Sequence, residues 1–503
     1  MLNDSTNIIL GPPGTGKTTF LLSELDKLLK SFLPEHICFI SFTKKASYEA
    51  LERTMIKFDL DEEQLPLFRT MHSLAFEYLR LSRNNVMNTK DYFEVCKRAG
   101  VGISFDIFDD FGVPQGYQRG NGLLNIISHS KCTKKTIQEV WETEGDGIDL
   151  DEVIDFNEIL IQYKFEKTKR DFNDMIIDYS HGGTLPPMQV LIIDEAQDLS
   201  AIQWDMADYL SKKTIVDYVA GDDDQSIFEW AGADVKKFIS LRGRVKVLDK
   251  SWRVPDNIKG LSTKIVSRID ERREKEWASN EGGGEIKYIT TLDEVFDSIK
   301  SESWLMLGRN NSMLSAYEDL CRDVGVFYKY IHKNRDFKNI IMAIRDWKMI
   351  NKGGIVMARR IKQMYALMSP VERIRHGFKA RMDSLDDKEV LDGKKLRKDF
   401  GLLCLGMPWQ EALDKVTEAD IIYAEKALEI DDIDEPRITI STIHGAKGGE
   451  ADNVIIISDM GYRAFSGLDT NPDAEHRVWY VAVTRAKKRL FILEPETSYS
   501  YDI

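Results

Sequence analysis

Near the start of the chain, Gly11-Pro12-Pro13-Gly14-Thr15-Gly16-Lys17-Thr18 keeps the spacing G-x-x-x-x-G-K-[ST]. Glycines at those positions let backbone N–H groups converge on phosphate oxygens, and a following helix adds the positive potential of its N-terminus. Lys17 would reach the β- and γ-phosphates, and the Thr18 hydroxyl would ligate Mg²⁺. Gly11, Gly14, Thr15, Gly16, Lys17, Thr18 and Thr19 are therefore expected to hold ATP. Further along, the apolar run 190–193 ends in Asp194-Glu195-Ala196-Gln197-Asp198. A buried strand that delivers adjacent carboxylates at its C-terminal end is where an α/β sheet places catalytic groups. Asp194 could hold Mg²⁺ through water, while Glu195 could orient the water that attacks the γ-phosphate.

Short apolar runs at 7–10, 37–42, 190–193, 214–220, 245–248, 304–307, 437–440, 454–457 and 490–493 alternate with helix-like spacing. That alternation predicts βαβ units and parallel sheets. Their grouping predicts an α/β chain of two P-loop-type cores, each interrupted by a mainly helical insertion. The expected boundaries are 1–75 with 165–247 for the first core and 76–164 for its insertion. The second core is expected at 248–350 with 436–503, and its insertion at 351–435.

The 503 residues carry 69 Lys and Arg against 83 Asp and Glu, a formal net charge of -14. A hydrophobic share of 43% excludes wholesale disorder. No apolar run approaches the length of a membrane span, no secretory signal opens the chain, and five scattered cysteines support neither a disulfide framework nor a metal cluster. A reducing cytoplasm is the expected compartment. Acidity read alone disfavours a polyanion partner, but it is concentrated. Residues 136–160 net -9 and 411–435 net -8, both in expected insertions, whereas 351–400 net +6. The rest of the chain is close to neutral, so a local nucleic-acid channel is compatible with the total.

Other segments carry a resemblance. Val219-Ala220-Gly221-Asp222-Asp223-Asp224-Gln225-Ser226-Ile227 followed by Phe228-Glu229-Trp230 resembles motif III of the superfamily 1 helicases of the UvrD/Rep/PcrA type. Ser41-Phe42-Thr43-Lys44-Lys45-Ala46 is similar to motif Ia. Thr70-Met71-His72-Ser73-Leu74-Ala75 resembles the family's T-F-H-x-L-A element, and Asp171-Phe172-Asn173-Asp174 its D-F-x-D-L element. Ser251-Trp252-Arg253 resembles motif IV, Thr442 to Glu450 motif V, and Trp479 to Ala486 motif VI. The matches follow the family's order along nearly the whole chain.

The resemblance implies two RecA-like cores and an ATP-dependent helicase or translocase that moves 3′ to 5′ on single-stranded DNA, acting on partial duplexes in repair or replication. Gln225 would sense the γ-phosphate and relay it to the DNA-contacting segment. Arg253 and Arg485 would act as arginine fingers, Trp252 would stack on adenine and Glu450 would contact the nucleotide. Phe42, Phe228 and Trp230 would stack on bases, with Thr43, His72, Thr442 and His444 along the DNA path. A nucleotide-gated DNA-binding ATPase without robust unwinding, or an RNA helicase, is the alternative. The pattern departs at Ala231, where the family has Arg, at Gly449, where it has Leu, in the few residues before Gly11, and in the second insertion, about half the usual size. Protein partners and the pathway served are not readable from the sequence.

Overall fold

The computed structural model describes all residues except 1, 3, 4, 43, 106, 109–113, 117, 332–336 and 431–435. The chain forms two compact units, Met1–Gly283 with Gly467–Thr484 and Gly284–Ser466 with Arg485–Ile503. The segments 248–283 and 467–484, expected with the second core, thus make their contacts in unit 1. Among the described residues no helix is long and apolar enough to cross a membrane.

Unit 1 is built on a six-stranded parallel sheet in the order Phe68–Arg69, Ile37–Ser41, Val190–Asp194, Val216–Gly221, Asn7–Leu10, Arg244–Val247. Strands covered on both faces read as continuous apolar runs, and Ile37–Ser41 and Val190–Asp194 are buried at every position. One face packs Met175, Tyr179, Trp204 and Leu210, the other Leu21, Leu25, Phe39 and Phe68. The helices of the first insertion, Thr89–Arg98, Arg119–Thr133, Ile137–Glu144 and Leu150–Lys167, enclose a separate core of Tyr92, Val95, Leu123, Ile127, Phe156 and Leu160.

Unit 2 has a second six-stranded parallel sheet, ordered Tyr328–Tyr330, Ile438–Thr442, Trp304–Gly308, Ala451–Ile457, Ala486–Leu493, Glu285–Ile289. Between Tyr330 and Ile438, beginning before the expected residue 351, the chain inserts the helices Phe337–Asn351, Ala358–Ala366, Phe378–Asp383, Gly393–Asp399, Trp409–Ala412 and Glu418–Ile430, with an antiparallel pair Ile355–Met357 and Val390–Asp392. Three sheet strands escape the sequence pattern. Phe68–Arg69 and Tyr328–Tyr330 are very short, and Glu285–Ile289 is an exposed edge with alternating charge. An edge needs little apolar sequence because one side remains in water.

Candidate active site

The loop from Gly11 to Gly16 leaves the strand Asn7–Leu10, second from one sheet edge, at its C-terminal end, anchored by Gly11 N–H to Gly221 O at 3.0 Å. Gly16 adopts φ 79° and caps the helix Lys17–Leu28 without any side-chain bond, so the first-turn N–H groups face the loop. Gly14, at φ 72°, is required for a second reason. A Cβ there would stand 2.4 Å from Arg253 Cβ and 2.8 Å from Ser251 Oγ. The strip 251–253 lies against the loop, with Trp252 N–H donating to Gly14 O (2.8 Å) and Ser251 Oγ to Pro13 O (2.7 Å). Thr15 Oγ1 donates to Pro12 O at 2.8 Å, Lys17 Nζ to Gly11 O at 3.1 Å, and Thr19 follows in the helix's first turn.

Four groups converge at the end of the strand Val190–Asp194. Thr18 Oγ1 donates to Asp194 Oδ2 at 2.8 Å, and Lys17 Nζ lies 3.4 Å from Glu195 Oε1. Burial, with the neighbouring Glu195 charge second, pushes the Asp194 carboxyl up to about 6. Glu195 itself has φ 54°, a left-handed conformation that turns the chain sharply after the strand. From Glu195 the bonding continues to a residue the sequence reading missed. Gln197 is fully buried; its Nε2 donates to Glu195 Oε2 at 2.6 Å and its Oε1 accepts the Asp222 N–H at 3.0 Å. Asp222 Oδ2 in turn accepts Gln225 Nε2 at 2.6 Å. Gln197 follows Walker-type carboxylates in a short turn, and its spacing to 222 is invisible until two adjacent strands are aligned.

Trp252 is 72% exposed with Lys250 Nζ 5.3 Å from its ring centroid, a stacking surface held at the loop by its own backbone. Arg253 accepts at its carbonyl from Asn280 Nδ2 (2.9 Å). On the far side of Gln225 runs an aromatic row. Phe42 stacks on Phe228 with centroids 5.6 Å apart, and Phe228 tilts against Trp230 at 6.4 Å. Trp230 is 56% exposed, as a base platform requires. Arg477, buried, bonds Glu229 Oε1 at 2.8 Å beside that row and was also unread in the sequence. Thr70 caps the helix Met71–Tyr78 by accepting Ser73 N–H. His72 meets the Phe172 ring edge-on at 5.2 Å, and burial, aided by Lys44, lowers it to about 4. Thr43 lies outside the described residues.

Thr442, His444, Glu450 and Arg485 belong to unit 2. Thr442 ends the strand Ile438–Thr442 and its Oγ1 accepts Gly445 N–H at 3.2 Å, tightening the turn that carries His444. Glu450 pairs with Lys487 at 2.6 Å. Arg485, 2% exposed, donates Nη1 to Gly449 O at 3.2 Å. The five cysteines are buried and free.

Residues 2–246 match the model described as the UvrD/REP helicase N-terminal domain, and residues 437–493 the model of the UvrD-like helicase C-terminal domain. The chain belongs to the UvrD/REP helicase family. Among its relatives, the protein named ATP-dependent DNA helicase PcrA from Staphylococcus epidermidis is 22% identical, with 97% of this chain and 81% of that protein aligned. ATP-dependent DNA helicase Rep from Buchnera aphidicola subsp. Baizongia pistaciae is 24% identical over 72% of this chain and 55% of its own. PcrA from Leuconostoc citreum is 21% identical over 72% and 50%. The N-terminal match spans the loop, the paired carboxylates and the aromatic row of this UvrD/REP-family chain; the C-terminal match spans Thr442, His444, Glu450 and Arg485.

Proposed function

We propose that this chain is an ATP-dependent DNA helicase that translocates along single-stranded DNA, 3′ to 5′, and separates the strands of partial duplexes. One observation carries the reading. An unbroken bonded path runs from Lys17 through Glu195, Gln197 and Asp222 to Gln225, three residues before Phe228 and five before Trp230. A phosphate-state change at Lys17 and Glu195 therefore has a short route to a base-stacking surface.

The donor set suits ATP with Mg²⁺. Thr18 Oγ1 and Asp194 Oδ2 are hard oxygens side by side, and a Mg²⁺ site of this kind draws few protein ligands and keeps its waters. The cation would supply charge neutralisation at the β- and γ-phosphates. Its positive charge also suits Asp194, whose crowded, buried carboxyl resists ionisation alone. Lys17 and the N–H groups of Gly14, Gly16 and Thr18 bind the phosphates, and Trp252 stacks on the base. Glu195, held by Gln197, orients the attacking water. Arg253, Arg485 and Glu450 are assigned to the nucleotide, with the two arginines stabilising transferred charge. Phe42, Phe228 and Trp230 stack on bases at about 1–3 kcal/mol each, independent of sequence. Thr43, His72, Thr442 and His444 are assigned to the strand.

The test is ATP turnover by the full chain with and without single-stranded DNA, followed by duplexes tailed at the 3′ or 5′ end. Stimulated turnover with opening of the 3′-tailed duplex is expected. No stimulation overturns the reading. Stimulation without opening favours a nucleotide-gated binding ATPase, and preference for a matched RNA over DNA favours an RNA helicase.

A further inference from the structure

Three successive aspartates, Asp222, Asp223 and Asp224, lie inside unit 1 with at most 1% exposure. A single ammonium serves all three. Lys275 Nζ stands 2.9 Å from Asp222 Oδ1 and 2.9 Å from Asp224 Oδ2, and bonds Asp223 Oδ1 as well, with a side chain 1% exposed. An ammonium has three protons, and here each has its own carboxylate. Asp223 and Asp224 have further donors. Arg272 grips Asp224 with two bonds of 2.8 and 2.7 Å, and Arg273 N–H donates to Asp223 at 2.7 Å. Asp222 is served differently. Its Oδ1 faces Lys275 and more distantly Asp224 N–H (3.3 Å), while its Oδ2 accepts the Gln225 amide at 2.6 Å. The carboxylate is thus clamped between a buried cation and the side chain of Gln225.

We propose that Lys275 is a positioning residue for ATP hydrolysis: by fixing the Asp222 carboxylate it sets the orientation of the Gln225 amide toward the nucleotide. The inference rests on the reading of Gln225 as the group that meets the γ-phosphate. Lys275 would supply what a hydrogen-bonding glutamine lacks, a fixed starting orientation. With Asp222 held on one oxygen, the amide keeps its Nε2 on that carboxylate, and the segment 222–230 moves with the phosphate instead of relaxing around it. A purely structural role for Lys275 predicts a lower melting temperature and nothing more. A positioning role predicts a change in turnover at unchanged nucleotide affinity.

The test uses two variants of the full chain that keep buried volume. Lys275→Arg retains the charge but replaces a three-proton point donor by a planar fork. Asp222→Asn retains the shape and lowers the buried negative charge. In each, melting temperature, kcat and KM for ATP are measured with saturating single-stranded DNA, alone and combined with Gln225→Ala. A folded protein with kcat reduced about tenfold or more and KM within a factor of two is expected, as misplacement of an orienting group produces. Adding Gln225→Ala should cost nothing further. Wild-type kcat in the folded single variants, or losses that multiply with that of Gln225→Ala, overturns the proposal. So does failure of both variants to fold, which would make the cluster a stability element. Normal turnover in Gln225→Ala alone overturns instead the underlying reading of Gln225, and the two failures are thereby distinguished.

Discussion

The two helical insertions stand in contrast. The first encloses its own core, in which Tyr92, Leu123, Ile127, Phe156 and Leu160 pack together apart from the two layers flanking the unit 1 sheet. The second has no such separate core among the described residues. Its Trp347, Ile361, Tyr365, Leu396 and Tyr423 belong to one cluster with Met306, Tyr317, Ile440 and Ile455 of the unit 2 sheet. What joins the first insertion to its parent is partly apolar, through Cys132 in the sheet-side core and Phe42 against both cores, and partly a charged cluster. Lys164 lies 2.6 and 2.7 Å from Asp171 and Asp174, and Lys131 lies 3.0 and 2.8 Å from the same pair. These charges hold the Lys131 ammonium above its usual range, against burial, and Asp171 well below its own. One continuous core is expected to melt as one body, whereas two cores joined at a smaller seam can each keep a stability of their own.

The contrast can be broken most sharply by emptying each core. Trp347→Ala should destabilise the whole of unit 2 by about 3–5 kcal/mol, and calorimetry should show its transition moving as one. Phe156→Ala should cost a similar amount but confine it to the first insertion, leaving DNA-independent ATP turnover near wild type. A single shared transition in both variants would erase the distinction. Next in size, Lys164→Met strips a mostly buried cation from two carboxylates and should cost about 2–3 kcal/mol, read from the urea midpoint. No change there would make the charged cluster incidental.

The third prediction concerns His72, on the helix just before the insertion, packed on Phe172 just after it. Its folded value near 4 lies below the ordinary 6.5. The unfolded chain therefore takes the proton first, and stability present above pH 6.5 is lost as pH falls toward 4. For a group that retains some exposure this amounts to roughly 1–2 kcal/mol. His72→Gln should flatten the fall in melting temperature between pH 7 and 5; an unchanged slope would refute it. Smallest, Tyr423→Phe removes a hydrogen bond to Val326 O in unit 2 and should cost about 1 kcal/mol in the same transition that Trp347→Ala moves.

Groups that act through local sequence were legible. The loop Gly11 to Thr18 and the pair Asp194 and Glu195 suggest a nucleotide site within a few residues, because a tight turn and a strand end leave little else for them to do, whereas Phe228 and Trp230 were singled out by the resemblance. Gln197, Lys275, Arg272 and Arg477 were not. Their partners come from distant segments, and 271–276 reads as an ordinary solvated charge run until three buried aspartates are laid beside it. In the acidic stretches some carboxylates have internal partners: Glu152 pairs with Arg119, and Asp414 accepts from Ser369. The basic stretch is largely spent on internal partners such as Arg360 with Asp346 and Lys395 with Glu389.

Of nine tryptophans, only Trp230 and Trp252 are exposed. One stands in the aromatic row and the other in the strip 251–253 against the Gly11 to Gly16 loop, so the two sit in different places. These two indoles are the most exposed to solvent; Trp141 and Trp277 are partly covered, and Trp204, Trp304, Trp347, Trp409 and Trp479 are buried. On the proposed reading, a nucleotide-dependent change in emission should survive Trp230→Phe and be lost in Trp252→Phe, and a strand-dependent change the reverse. On that reading the two indoles would form a pair of intrinsic probes, and stopped-flow mixing could time the two events in a single chain without a label.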